Sequence, residues 1–384
     1  MLKKKSKKQK LKGILLIITL LIFVAIIIIK PDFFTNQIRK FKYQTEFLKL
    51  EKIEISLTDS LYNLMTQEKD SVLKVISKDN SYWGGNNNKK SYVGKYIEEG
   101  FKYKAKVKLV GHYQDHLNRS PFSIGIKIKN GNFRGMNHIN LLNPLTRFLN
   151  VDIFANYFAE HFKIKTIKSY PINGLVNSHN SFYILEEGFS SKRLNNDSIG
   201  WVIQDKVNPN FLLESRVSQE IPLFFCETYN SSTKKIDFIN LKKFAQHFAI
   251  ADLFQSCHQM YKDNRHYFLD KHTNKIEPLG REFWFSSEKG YVLIINQIKN
   301  DEKNEFGELY HDLIKNPKFK QLYYNALKEI CEPLLIKSIY NSHTNEIESL
   351  ERLSWMDYAW FNSGLNRKRL LNNQDAIKSL LPNN

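Results

Sequence analysis

The chain has 384 residues, 42% of them apolar and 13% aromatic, enough to bury one large or two modest cores, which excludes general disorder. Its three cysteines, Cys226, Cys257 and Cys331, stand far apart with no C-x-x-C, which argues against a disulfide framework or a zinc knuckle. The formal net charge is +18, and seven lysines in the first twelve residues leave +11 for the remainder, a balance that favours anionic partners such as phosphates, acidic lipids or nucleic acid without choosing among them.

Residues 1–12 form a basic tail. From Gly13 to Ile29 only Thr19 is polar, and Lys30 and Pro31 end the run. Seventeen residues lie at the short end for crossing a bilayer, but flanking lysines extend the reach by snorkelling, so the sequence predicts a transmembrane anchor at 13–30. A cleaved signal peptide is the competing reading, and no small-x-small cleavage pattern follows the run. More lysines precede the run than cations follow it, which places the tail in the cytoplasm and the body outside it as a single-pass membrane protein.

Residues 31–100 read as a juxtamembrane stalk or cap, a helix with Ile38, Phe41, Phe47 and Leu48 at helical spacing leading to a strand at 52–57. The Gly84-Gly85 loop lacks the spacing of a phosphate-cradling P-loop and is taken as a surface turn. A run of strands follows. Residues 103–110 alternate with Lys104, Lys106 and Lys108 on one face, residues 122–129 alternate again, and Asn130-Gly131 signals a hairpin before 133–142. Thr146 can cap a helix over 147–162, and strands at 167–172 and 182–185 flank a turn predicted at Asn173-Gly174. Helices are predicted at 240–255 and 316–341, with a helical tail at 346–384. Strands with an inserted helix, followed by a helical half, describe an α+β body in two lobes.

The chemistry concentrates at 252–284. A strand carrying Tyr267 and Phe268, a polar turn over 270–274 and a short strand at 276–279 predict a hairpin that brings Asn264 and Glu282 to one mouth. An amide oxygen and a carboxylate are the hard ligands Mg²⁺ prefers, and His258 could accept a proton from a substrate hydroxyl. Asp263 and Asp270 stand nearby. The alternative is a solvated turn, and Cys257 reads most simply as a buried thiol.

Several segments follow one another in order along the chain. Leu109-Val110-Gly111-His112 with Asp115-His116-Leu117 comes first, then Gly135-Met136 and Leu142-Asn143-Pro144-Leu145-Thr146-Arg147. Tyr183-Ile184-Leu185-Glu186-Glu187-Gly188-Phe189, His258, Asn264-Arg265-His266-Tyr267 and Ile276-Glu277-Pro278-Leu279-Gly280-Arg281-Glu282 follow. Together they resemble the spore-coat-H (CotH) kinase family, atypical kinases that use ATP and Mg²⁺, with the likeness running over about 104–333. The resemblance implies an atypical protein-kinase-like two-lobed fold, β-rich then helical, over residues 101–345 and behind the transmembrane helix. It implies Asn264 and Glu282 as metal ligands for Mg²⁺ or Mn²⁺, His258 as catalytic acid or base with Asp263 and Asp252 as fallbacks, and Glu187 or neighbouring Glu186 as the acid pairing with a phosphate-facing cation. Ser120 and Pro121 stand where the family has its lysine, which leaves Arg119 and Lys127 as the nearest cations, and Glu282 stands where the family has Asp.

The function so implied is transfer of the ATP γ-phosphate to hydroxyl groups of extracytoplasmic proteins by a membrane-anchored enzyme. The lost lysine and altered ligand keep a second class open, a degenerate pseudokinase acting as an envelope binding or scaffold module. A nucleic-acid binder rests on net charge alone and ranks last, since no recognised nucleic-acid fold pattern appears.

Overall fold

The computed structural model describes residues 31–79, 90–111, 114–147, 150–188, 200–205, 213–214, 235–261, 264–283, 291–303, 305–355 and 367–382. Helix α1 (Pro31–Phe47) leads into β1 (Lys52–Ser56) and α2 (Asp59–Asp79), after which β2 (Tyr92–Glu98) and β3 (Phe101–Leu109) form a hairpin. Glu99 and Gly100 turn that hairpin with φ of 48° and 85°, the paired left-handed residues a twisted two-residue loop requires. Next come β4 (Ile124–Ile128), β5 (His138–Leu142), α3 (Val151–His161), β6 (Ser169–Val176) and β7 (His179–Glu187).

These seven strands close into a barrel of order β1-β2-β3-β4-β5-β7-β6. Closure depends on β1, which pairs antiparallel with β2 through Glu54 and Ile97 and parallel with β6 through Ile53 and Gly174. A closed sheet has no unpaired edge. Alternate residues fill its interior, among them Ile53, Ile55, Tyr96, Val107, Ile124, Ile126, Ile139, Leu141, Tyr183 and Leu185. The segment expected to be a stalk therefore supplies two of the barrel strands. This arrangement corrects the expected two-lobed kinase-like fold behind a transmembrane helix. No described helix is long and apolar enough to cross a membrane, which also corrects the expected single-pass placement with an extracytoplasmic body. The run 13–30 lies outside the described residues, as does the Gly84-Gly85 loop.

Two sequence signals are resolved differently in three dimensions. Asn173 and Gly174 are not a turn but the middle of β6, and the reversal comes at Asn177 and Ser178, both with positive φ. Gly174 is there because the Tyr183 ring crosses it, and a Cβ would sit 2.5 Å from that ring. The helix expected over 316–341 is interrupted near Pro333, which cannot continue the backbone ladder.

The rest of the chain builds a second core against the outer face of β7. A small sheet of β8 (Gly200–Asp205), β9 (Leu213–Glu214), β10 (His266–Asp270) and β11 (Lys275–Pro278) accompanies the central helix α4 (Leu241–Phe254). Helices α5 (Ile294–Lys299), α6 (Gly307–Lys315), α7 (Pro317–Ile330), α8 (Leu335–Ser342), α9 (Thr344–Leu353) and α10 (Arg367–Leu380) follow. Helix α4 is buried continuously from Phe244 to Phe254, as a helix packed on all sides must be. Phe248 meets Tyr310, Phe319 and Tyr323 edge to face. Chain ends meet as well, since Arg352 of α9 bonds Glu46 of α1 at 2.9 Å.

Within α4, His247 is buried with neither ring nitrogen hydrogen-bonded, and burial pushes its pKa down to about 3. The unfolded chain takes up this proton near pH 6.5 and the folded chain does not until about 3, so stability falls as pH drops through that window, by about 1.4 kcal/mol per unit for this group. A His247→Leu variant, compared by urea denaturation at pH 7.5 and 5, is expected to lose less stability on acidification than the parent does.

Candidate functional site

Strand β7 leaves the barrel with its side chains alternating between two surroundings. Tyr183 and Leu185 join the barrel core, whereas Phe182 and Ile184 join the helical core, so the period of two sends Glu186 toward the helical body and Glu187 to the other face. Both glutamates are buried. Glu186 accepts two bonds from Arg147, 3.2 Å from Nε and 2.8 Å from Nη2. Arg147 ends the short turn Pro144–Arg147 that follows β5, and Asn143 shapes that turn by accepting from the Leu145 N–H and, through its carbonyl, from the Thr146 N–H.

Around this pair a network assembles from both halves of the chain. Arg147 Nε stands 3.6 Å from Asp152 in the first turn of α3, and Arg147 Nη2 reaches Glu282 Oε1 at 3.4 Å. The Arg281 guanidinium lies 2.5 Å from Glu282 Oε1 and 3.4 Å from Glu186 Oε1. On the opposite side of Glu282, Oε2 faces His258 Nε2 at 3.4 Å, and His258 Nε2 lies 3.0 Å from the Asn264 side-chain nitrogen. That nitrogen also donates to the His258 carbonyl at 3.2 Å, so the Asn264 oxygen is the amide atom turned away from the histidine. Arg147, Glu186, Asp152 and Arg281 form a buried floor, while His258, Asn264 and Glu282 are half-buried at the mouth. The turn Gln114–His116 packs beside Arg147, and the fields of Arg147 and His258 reach Asp115 there.

The local backbone explains how adjacent residues serve opposite signs. Glu282 has φ of 55°, a left-handed conformation that a non-glycine residue holds only when its surroundings fix it, and such strain gathers at functional sites. The Phe283 N–H that follows donates to Asp152 at 3.0 Å and anchors the strained residue. Hairpin β10–β11 holds the other end, as expected from sequence, with Asp270 accepting from the His272 and Thr273 N–H groups to form its turn.

Charge in the cluster is unevenly shared. Burial alone would raise Glu282, but Arg281 and Arg147 hold its carboxyl well below the usual range. Burial works against the Arg147 charge, yet Glu186, Glu282 and Asp152 raise its pKa. The excess negative charge falls on Asp152, pushed up to about 7 chiefly by burial, with Glu186 and Glu282 adding and Arg147 opposing. Glu282 thus stays ionised between the two guanidiniums, while Asp152 lies near its titration point at neutral pH.

Among residues predicted from sequence, the structure gathers Glu186, His258, Asn264 and Glu282. Glu187 is buried on the other face of β7, Lys127 is exposed on the outer side of β4 in register with His138, Arg119 is exposed before the Ser120–Pro121 bond, and Asp263 lies outside the described residues. Asp252 is tied elsewhere, accepting from Tyr323 Oη at 2.6 Å and the Ile294 N–H at 2.8 Å, where it joins α4, α5 and α7. From sequence, Arg147 and Arg281 stood out only as members of longer motifs. Both are central. Their only signal was position, next to Pro144 and Glu282, because an arginine's burial depends on a partner distant in sequence.

No protein-family model matches the chain, and no curated protein matches it in sequence. The spore-coat-H resemblance thus stands on its motifs alone. Among solved structures, the crystal structure of a Helicobacter pylori proinflammatory kinase, CtkA, is similar at 13% identity and a TM-score of 0.29, over 67% of this chain and 90% of that one. The similarity to a kinase is weak.

Proposed function

We propose that the chain binds ATP at the mouth formed by His258, Asn264 and Glu282 and transfers its γ-phosphoryl group to a hydroxyl of a protein substrate. One observation carries this reading: His258 lies against both the Asn264 amide and the Glu282 carboxylate, and that carboxylate rests on two buried arginines. Guanidiniums bind phosphate through two parallel N–H bonds, and Arg147 and Arg281 are held in place by the carboxylates beneath them.

A divalent ion, Mg²⁺ or Mn²⁺, belongs to this reading, and the residues fit it by donor type. The Asn264 amide oxygen and the Glu282 carboxylate are hard oxygen donors, and both residues lie against His258. Asn264 and Glu282 would hold such an ion, which would supply charge neutralisation for the phosphates. The protein's own part is positioning and proton handling. His258 Nε2 takes the proton of the attacking hydroxyl as that oxygen bonds to the γ-phosphorus, the bond from phosphorus to the β–γ bridging oxygen breaks, and ADP departs with the electron pair. Incubation with γ-labelled ATP and Mg²⁺ or Mn²⁺ tests the proposal. Label is expected in added protein acceptors or in the chain itself, and transfer unchanged in Asn264→Ala would count against it.

A second reading, nucleotide binding without transfer, is favoured by the guanidiniums that occupy Glu282 and by the absence, among described residues, of a group of three or more His, Cys, Asp or Glu side chains able to hold a metal. Stabilisation by ATP with no label transfer would support it.

A further inference from the structure

In the arrangement above, both oxygens of Glu282 are already engaged. Oε1 is shared by Arg281 at 2.5 Å and Arg147 at 3.4 Å, and Oε2 faces His258 at 3.4 Å. A divalent cation arriving alone would meet two positive guanidiniums about a carboxylate they already neutralise, at separations where repulsion in a partly dry site is large. A phosphate chain meets the reverse situation. It brings the negative charge that can take over the N–H groups now spent on Glu282, and the bidentate geometry of guanidinium with phosphate matches what guanidinium makes with carboxylate.

We propose that Arg147 and Arg281 act as a latch on Glu282: the phosphates of the nucleotide bind first, draw the guanidiniums off this carboxylate, and only then can a divalent ion use it. The inference rests on the nucleotide reading above and adds an order to it. Three further features support it. Glu186 remains on Arg147 through two bonds to one oxygen, so the arginine has a pivot that the exchange does not remove. Arg281 is held as well, with Nη1 3.1 Å from His266 Nδ1 and Nη2 3.4 Å from Glu186, so it too can shift from Glu282 without leaving the floor. Glu282 itself sits in a left-handed conformation between Arg281 and the anchored Phe283, so its backbone stays fixed while its carboxylate changes partner.

The coupling between the two ligands is reciprocal. If phosphate and metal compete with the same latch, each raises the other's affinity by one common factor. The test is equilibrium binding on the full chain with three probes: ATP in excess EDTA, Mn²⁺ alone followed by electron paramagnetic resonance, and the two together. Wild-type protein is expected to bind ATP without metal, to bind Mn²⁺ alone too weakly to reach saturation, and to bind Mn²⁺ at least about tenfold more tightly once nucleotide is present, after correction for Mn²⁺–ATP formed in solution. In Arg281→Gln, Mn²⁺ alone is expected to bind at least about tenfold more tightly than in wild type, and metal-free ATP more weakly by a similar factor. Saturable Mn²⁺ binding by the wild type, unchanged by nucleotide and lost in Glu282→Gln, would overturn the latch and leave the nucleotide reading standing. ATP binding that requires Mn²⁺ would do the same. Failure of ATP to bind under either condition would overturn both.

Discussion

Replacing Arg147 with methionine is expected to cost about 3–5 kcal/mol of folding stability at pH 7, the largest effect of any single substitution in the cluster. The size comes from what remains. Glu186 would keep only the 3.4 Å contact of Arg281, and Asp152 would lose its guanidinium while staying buried. Removing one member of a buried ion pair leaves a charge without its counter-charge, which costs more than the pair contributes when intact. The pH dependence has a definite sign. Arg147 opposes the burial that raises Asp152 and helps to hold Glu282 low, so without it both carboxyls take up protons more readily in the folded chain, and the gap between variant and wild type is expected to narrow from pH 7 to pH 5. Adding Glu186→Leu to Arg147→Met is expected to restore part of the loss, because it removes the stranded charge. Urea denaturation of the single and double variants at both pH values measures all three expectations, and equal gaps at pH 7 and 5 would show that the carboxyls do not depend on Arg147.

The second large effect concerns chemistry rather than folding. His258→Ala is expected to lower the rate of label transfer from ATP by about 10²–10⁴-fold while changing stability little, since His258 is half-buried at the mouth and the floor does not depend on it. His258→Ala at saturating ATP separates base catalysis from binding. A base acts only as the reaction proceeds, so kcat falls while the ATP KM holds within a few-fold. Asn264→Ala should differ, losing rate in a way that rising Mn²⁺ partly offsets, if the amide serves as the ligand proposed above. A His258→Ala enzyme with wild-type kcat would remove the histidine from the reaction.

Parts of this architecture could be read directly from residue order. Hairpin β10–β11 was legible because its turn depends on local chemistry, with Asp270 bonding the two following N–H groups, and because Tyr267 and Phe268 mark a strand. That hairpin returns the chain so that Glu282 lies against His258, which also meets Asn264. Barrel closure was not legible. Lys52–Ser56 is a five-residue strand whose parallel partner is β6, far along the chain, and periodicity carries no information about such pairing. Asn173-Gly174 misled for a related reason, since a dipeptide that usually turns was selected here for the close approach of Tyr183. The arginines were missed because arginine normally belongs to the surface, and only the meeting of two cores around β7 buries Arg147. Choosing between Glu186 and Glu187 required the phase of β7, which depends on its neighbours on both sides.

The cluster at the junction of barrel and helical body is a nucleotide site in this account, and the most direct measurement is a crystal structure of the chain with a non-hydrolysable ATP analogue and Mn²⁺. The account predicts anomalous signal from Mn²⁺ beside the Asn264 oxygen and the Glu282 carboxylate, phosphates on Arg147 and Arg281, and the γ-phosphate facing His258. Nucleotide bound elsewhere, or Glu282 still held by both arginines with the nucleotide in place, would contradict it.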